Sequence, residues 1–325
     1  MTAPSLLGTA IGLALCLQSV CAEETALPPN VLLVVVDDLN TDIASYGHNL
    51  VQTPNIDRLA ERGVLFTRAY AQYPQCNQSR ASFLTSQYPD QLEVLSLKEH
   101  FRDARPEAVT LPQHFRNSGY FTARVGKIFH QGVPPEIGQD GLDDPASWDL
   151  VINPAGVDIE VDEHVVSIVP PERDKRSFGG TLSWLQLVSE EPHTDEIGAA
   201  EAIRLVEEFH PDKTGKPLFL ALGFYRPHTP YVAPPRFFDL YPPNSIELAE
   251  VPPGDRENKP IAALADRPYQ SDMTESQQRQ AIQAYHATIS FMDEQLGKVL
   301  GALDEGGLAD DTLVVFLSDH GYQLG

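Results

Sequence analysis

Four apolar runs in this sequence end in residues suited to chemistry rather than packing. Asp37-Asp38 closes Val31–Val36, and Ser318-Asp319-His320-Gly321 closes Leu313–Leu317. Tyr225-Arg226-Pro227-His228 follows Leu218–Phe224, and Gly126-Lys127, with His130 just behind, follows Phe121–Val125. A single Asp-Asp after a strand is ordinarily a turn or a helix cap. Asp37-Asp38 and Asp319-His320 after two equally apolar runs are harder to set aside. Carboxylates brought together repel unless a cation sits between them, and hard oxygen donors select Ca²⁺ or Mg²⁺. Lys127 read alone is a solvated lysine, and His228 read alone is a loop histidine.

These clusters need a frame that brings them together. Val31–Val36 is a continuous β-branched and aliphatic run without alternation, the pattern of a strand buried on both faces of a parallel sheet. Helical patterns separate the runs. Thr194 is placed to cap a helix through Phe209, with Ala199, Ala202, Ile203, Val206 and Phe209 on one face. Thr274-Glu275-Ser276-Gln277 reads as a capping box. It opens a long helix whose apolar residues step by three and four through Ile282, Tyr285, Ile289, Met292, Leu296, Val299 and Leu303, until Gly306-Gly307 stops it. A shorter helix follows Pro54, from Asn55 to Arg62. Strands alternating with helices predict an α/β fold with a mostly parallel sheet, and such sheets bind ligands beyond the carboxyl ends of their strands. Residues Gln131 to Pro192 and Arg226 to Pro268 are irregular, the latter holding ten of the 27 prolines, and are expected to form ordered loops over that rim.

The 325 residues carry 46 acidic against 23 basic side chains, a formal charge of −23 that argues against nucleic-acid binding and against docking on anionic lipid. With 42% hydrophobic residues the chain can bury a core. Leu6–Val20 is an uncharged apolar run too short to span a bilayer, followed by Val20-Cys21-Ala22 and then Glu23-Glu24. Although no Lys or Arg precedes it, residues 1–22 read as a cleaved signal peptide, which predicts an exported protein with no stable membrane insertion. Cleavage would remove Cys16 and Cys21, leaving Cys76 without a disulfide partner, either a buried bystander or a reactive group.

Cys76 stands in Cys76-Asn77-Gln78-Ser79-Arg80-Ala81-Ser82-Phe83-Leu84-Thr85-Ser86. This stretch resembles the type I sulfatase signature, in which Cys-x-Pro-x-Arg precedes a Leu-Thr-Gly element. The likeness extends along the chain. Pro29-Asn30-Val31 through Asp37-Asp38, Thr53–Ala60, Gly126-Lys127-Ile128-Phe129-His130 and Ser318-Asp319-His320-Gly321 resemble successive elements of that family. Arg226-Pro227-His228, the loop lengths and the Asp319-His320 pair look most like its iduronate-2-sulfatase branch. Gln78 stands where the family has Pro, in the core read by cysteine-modifying enzymes, and Ser86 stands where it has Gly. Asn77-Gln78-Ser79 thereby becomes a formal glycosylation sequon, discounted because a sugar there would block the site.

The resemblance implies a three-layer α/β/α fold with a central, mostly parallel mixed sheet. It implies that residues 23–325 are the N-terminal catalytic domain of a longer enzyme, with further strands and a smaller C-terminal subdomain beyond Gly325. It implies hydrolysis of sulfate esters, and through the branch, of 2-O-sulfated uronic acid residues in a polysaccharide. A formylglycine-generating or equivalent enzyme would oxidise Cys76, whose hydrated aldehyde attacks sulfur. Asp37, Asp38, Asp319, His320 and the modified Cys76 would bind one Ca²⁺. His320 would be the softest of these ligands, a nitrogen donor to an ion that prefers oxygen. Arg80 would hold the nucleophile and the sulfate, Lys127 would bind sulfate, His130 would take a hydroxyl proton during breakdown of the sulfated intermediate, and His228 would sit by the leaving oxygen. Two other readings stand beside this one: a phosphodiesterase or phosphonate hydrolase of the same superfamily, and a non-catalytic carbohydrate-binding protein that keeps the fold. His48, His100, His114, His164, His193, His210 and His286 are read as structural or surface residues.

Overall fold

The computed structural model describes residues 27–159, 165–168, 182–261, 264 and 268–324. The predicted signal segment with Cys16 and Cys21, and His164, lie outside these. Among the described residues eight strands are formed: β1 (Asn30–Val36), β2 (Phe121–Gly126), β3 (Leu150–Ile152), β4 (Val166–Ser167), β5 (Ser183–Gln186), β6 (Leu218–Phe224), β7 (Tyr231–Ala233) and β8 (Thr312–Ser318). The main sheet has the order β3-β2-β6-β1-β8, and every pairing in it among the described residues is parallel. A second, small sheet, β4-β5-β7, mixes one antiparallel and one parallel pairing.

β1 is buried along its whole length, as its unbroken apolar run requires. Its side chains alternate between two cores. Leu32, Val34 and Val36 join Leu220, Leu222 and Phe224 of β6 against the helices Thr194–Glu208 and Glu275–Glu305. Val31, Leu33 and Val35 join Phe219 and Ala221 against Ala81 and Leu84 of the helix Cys76–Thr85, with Phe115 of Leu111–Asn117 packed alongside. Helices on both faces of a parallel sheet give the expected three layers. β8 lies at one edge, with Leu313 and Val315 exposed.

The long helix is capped as its sequence demands. The Thr274 hydroxyl accepts the Gln277 N–H and the Gln277 side chain accepts the Thr274 N–H. All seven stepped residues from Ile282 to Leu303 are buried. The other expected cap falls differently. Thr194 is the first helical residue rather than the cap, because its hydroxyl is drawn to Asp158 Oδ1 at 2.7 Å, and the cap position passes to His193. The stretch Gln131–Pro192 also carries more regular structure than expected: β3, β4 and β5 all lie within it.

Register is what assembles the rim. Val36 stands level with Phe224 on one side and Ser318 on the other, so Asp37 and Asp319 emerge side by side, each N–H still held by the neighbouring strand. Gly126 stands level with Gly223, which sets Lys127 one residue beyond the ladder.

Candidate active site

Asp37 and Asp38 are both buried where β1 ends. Asp38 has φ +64°, a left-handed turn that Asp tolerates better than most residues, and it keeps the second carboxylate at the rim instead of sending it to the opposite face of a continuing strand. Asp319 arrives from β8, and its Oδ1 accepts the N–H groups of Asp38 (3.0 Å) and His320 (2.9 Å). Oxygen atoms of Asp37, Asp38 and Asp319 lie within 4.8 Å of one another.

Arg80 ties two of these carboxylates together from below. Its Nη2 is 2.9 Å from Asp37 Oδ1 and its Nε 2.9 Å from Asp319 Oδ2, while Nη1 donates to the carbonyls of Lys127 and Ile128. The guanidinium is fully buried, and its planar fork meets both acids at once. The helix that carries it, Cys76–Thr85, is almost entirely buried and bolted at its first turns. Ser79 Oγ donates to the Asp319 carbonyl, and Asn77 Nδ2 donates to the carbonyls of Ser96 and Glu99 at 2.9 Å each. Asn77 is therefore committed and 5% exposed, which removes the sequon as a glycan acceptor in the folded protein. Gln78 packs inward with its Nε2 on Gln75 Oε1. Ser86 ends the helix with φ +57°, which explains why a glycine suits that position.

Cys76 occupies the first turn of this helix and is 7% exposed. Its Sγ is 3.2 Å from His320 Nε2, and His320 Nδ1 is 2.9 Å from Asp38 Oδ1. Both ring nitrogens of His320 thus face protein groups, and the imidazole bridges the cysteine to the acidic cluster. Burial, reinforced by Asp37, Asp319 and Asp38 against the opposing pull of Lys127, pushes the Cys76 thiol well above its ordinary value. As a thiol it is a weak nucleophile. Burial opposes the charged form of His320, but its hydrogen bond to Asp38 and the nearby Asp319 and Asp38 charges outweigh that and raise it.

Lys127 Nζ is 2.6 Å from Asp37 Oδ2, with both side chains fully buried. Burial alone would raise Asp37, yet Lys127, His228 and Arg80 outweigh it and hold the carboxyl well below the usual range. Burial would likewise lower Lys127, and Asp37 overcomes it. His130 is driven down to about 2 by burial, then by Lys127 and Arg80, so it is neutral, and its Nδ1 meets no partner among the described residues. His228 Nε2 lies 3.5 Å from Asp38 Oδ2.

All nine residues singled out from sequence therefore share one rim: Asp37, Asp38, Cys76, Arg80, Lys127, His130, His228, Asp319 and His320. The donor set fits a hard divalent cation, since three buried carboxylates converge beside two buried basic side chains, Arg80 and Lys127. Sequence reading missed the groups that shape the rim from behind. Tyr285, read as one residue of an apolar stripe, donates its hydroxyl to the Asp38 carbonyl at 2.7 Å and accepts the Asn40 N–H at 2.8 Å. Asp195 and Asp158 hold the segment after β6. His48 and His286 meet Asp42 in a separate cluster, where the His48 Nδ1 already accepts the N–H groups of Leu50 and Val51.

Buried acids, a cysteine and a guanidinium thus meet at the carboxyl ends of parallel strands in an α/β sandwich. The sulfatase family model matches residues 29–325, and the chain belongs to that family. It is 36% identical over 312 residues to mouse iduronate 2-sulfatase, covering 91% of this chain and 55% of the relative. It is 35% identical over 337 residues to the human iduronate 2-sulfatase, covering 96% of this chain and 60% of the relative. The chain thus spans little more than half the length of these relatives. Among solved structures, the phosphonate monoester hydrolase of Agrobacterium radiobacter superposes with a TM-score of 0.70 at 23% identity, over 91% of this chain and 63% of that one, a likeness of fold.

Proposed function

We propose that this protein hydrolyses sulfate esters through a formylglycine made from Cys76, and that its substrates are 2-O-sulfated uronic acid residues of a polysaccharide. The observation that carries the reading is the convergence of Cys76, Arg80, Lys127 and three carboxylates in one buried cluster. The thiol itself is held protonated, so a stronger nucleophile needs the side chain converted to an aldehyde hydrate. The uronic part rests on the likeness to proteins named iduronate 2-sulfatase.

Asp37, Asp38 and Asp319 would hold one Ca²⁺, with the converted Cys76 and His320 completing the set. Such an ion supplies polarisation of the sulfuryl oxygens. The chain's own residues do the rest. Arg80 and Lys127 offset the acids and orient the anion. His130, whose Nδ1 meets no partner among the described residues, would take a proton from the hydroxyl of the sulfated intermediate. His228 stands beside the leaving oxygen and delivers a proton to it. A cysteine-modifying enzyme is the required partner, and the apolar leader Leu6–Val20 supports export to the periplasm or beyond.

The test begins with mass spectrometry of the Cys76 peptide from protein made in its native host, where conversion of thiol to aldehyde lowers the mass by about 18 Da. Turnover of the sulfate and phosphate esters of one chromogenic phenol, and then of a 2-sulfated uronide, follows. An unmodified Cys76 with no turnover would leave a non-catalytic carbohydrate-binding protein, and preference for the phosphate ester would point to a phosphoester hydrolase.

A further inference from the structure

We propose that Asp195 is a positioning residue for His228, an inference that rests on the sulfate-ester reading above. β6 ends at Phe224, whose carbonyl takes the Asp37 N–H, and no strand receives the next two amides. Asp195 receives both: Oδ1 accepts the Tyr225 N–H and Oδ2 the Arg226 N–H, each at 2.9 Å. A carboxylate offers two acceptors and no donor, so it fixes two successive amides in one orientation, whereas an amide would turn a donor against one of them. Asp195 is 2% exposed, and burial works against its charge. Keeping an acid there is costly unless the segment it holds needs fixing.

The held segment leads directly to the imidazole. The Arg226 guanidinium pairs with Asp158, which also accepts the Thr194 N–H and hydroxyl at 2.7 Å each, and Arg226 Nη1 reaches back to the His228 carbonyl at 3.4 Å. Two residues beyond Arg226, the His228 ring stands 3.5 Å from Asp38 Oδ2. The start of the helix Thr194–Glu208 thus sets where Tyr225–His228 leaves the sheet, and with it the distance of His228 from the rim. Asp195 touches neither substrate nor reacting atoms in this arrangement. It acts through His228.

A proton from His228 matters most when the leaving oxygen is a poor leaving group. The full chain, modified at Cys76, is assayed on a nitrophenyl sulfate, which leaves readily, and on a sugar sulfate, which does not. Asp195→Asn is expected to lower kcat/KM for the sugar sulfate about tenfold more than for the nitrophenyl sulfate, within the range a positioned acid supplies. In a His228→Ala background the same substitution is expected to add little, because the group it positions is gone. Equal losses on both esters, or full additivity with His228→Ala, would overturn the inference. If the wild-type protein turns over neither ester, the sulfatase reading fails by itself. The imidazole nitrogen chemical shifts of His228 then decide the positioning, and unchanged shifts in Asp195→Asn would refute it. If Asp195→Asn does not fold, Asp195→Ser replaces it. Failure of both to fold, judged by circular dichroism, would show that the acid holds the fold rather than the histidine.

Discussion

Gly126 and Gly223 stand opposite each other on β2 and β6, so closely that a Cβ on either would overlap backbone atoms across the ladder. Gly126 also has φ +73°, where a side chain is strained. This close approach is what lets Lys127 turn off the strand end toward Asp37. Gly223→Ala would press directly on the Lys127 backbone. The expected outcome is a stability loss of about 2–3 kcal/mol in urea unfolding, the range for forced overpacking, together with a raised KM for sulfate esters. Unchanged stability and KM would show that the two backbones can separate at no cost.

Arg80→Met should be among the most damaging substitutions in the chain. It leaves Asp37 and Asp319 buried without their shared guanidinium. Breaking a buried pair by removing one partner costs roughly 3–5 kcal/mol. Arg80→Lys keeps a charge but loses the fork that spans both acids, so most of that loss should remain. Denaturation midpoints of the three proteins check this, and a Lys variant as stable as wild type would contradict it.

His130 makes a pH prediction of definite sign. Its folded value of about 2 lies below the ordinary 6.5, so the unfolded chain takes up a proton that the folded chain refuses. The stability it permits is complete above the unfolded value and drains away as pH falls from there toward the folded value. Between about pH 7 and pH 5 this amounts to about 2 kcal/mol. Wild type should lose that much more than His130→Asn over the same interval in chemical denaturation, and parallel pH curves would rule the effect out.

Thr274→Ala tests the long helix far from the rim. Loss of the side-chain cap on the Gln277 N–H should cost about 1 kcal/mol and leave kcat/KM unaltered. A change in activity would reveal coupling between the helix start and Tyr285, which sits on the same helix and steadies the Asp38 turn.

Much of this arrangement was legible before any coordinates. The unbroken apolar run ending in Asp37-Asp38 announced a strand buried on both faces, whereas the equally apolar run ending in Asp319-His320 forms an edge strand with Leu313 and Val315 exposed. The motif around Cys76 and Arg80 announced the site through its resemblance. Groups whose role depends on side-chain direction stayed hidden. Asp195 follows a threonine at a helix start and therefore looks like helix capping. Its real partners, the amides of Tyr225 and Arg226, lie thirty residues further along the chain, and no periodicity reports such a contact. Tyr285 fits an apolar stripe by spacing, and its hydroxyl is invisible to that pattern. Thr194 failed as a cap because Asp158, distant in sequence, competes for its hydroxyl.

The burial of the Cys76 helix also dictates an order of events during biosynthesis. With Cys76 closed in by His320 and the helix locked to Asp319 through Ser79 and Arg80, no second enzyme can grip the residues flanking the thiol once the sheet has formed. Under the function proposed above, conversion of this cysteine would have to happen on the nascent or still-unfolded chain, so maturation would be a race between oxidation and collapse, and a molecule that folds first would stay a thiol.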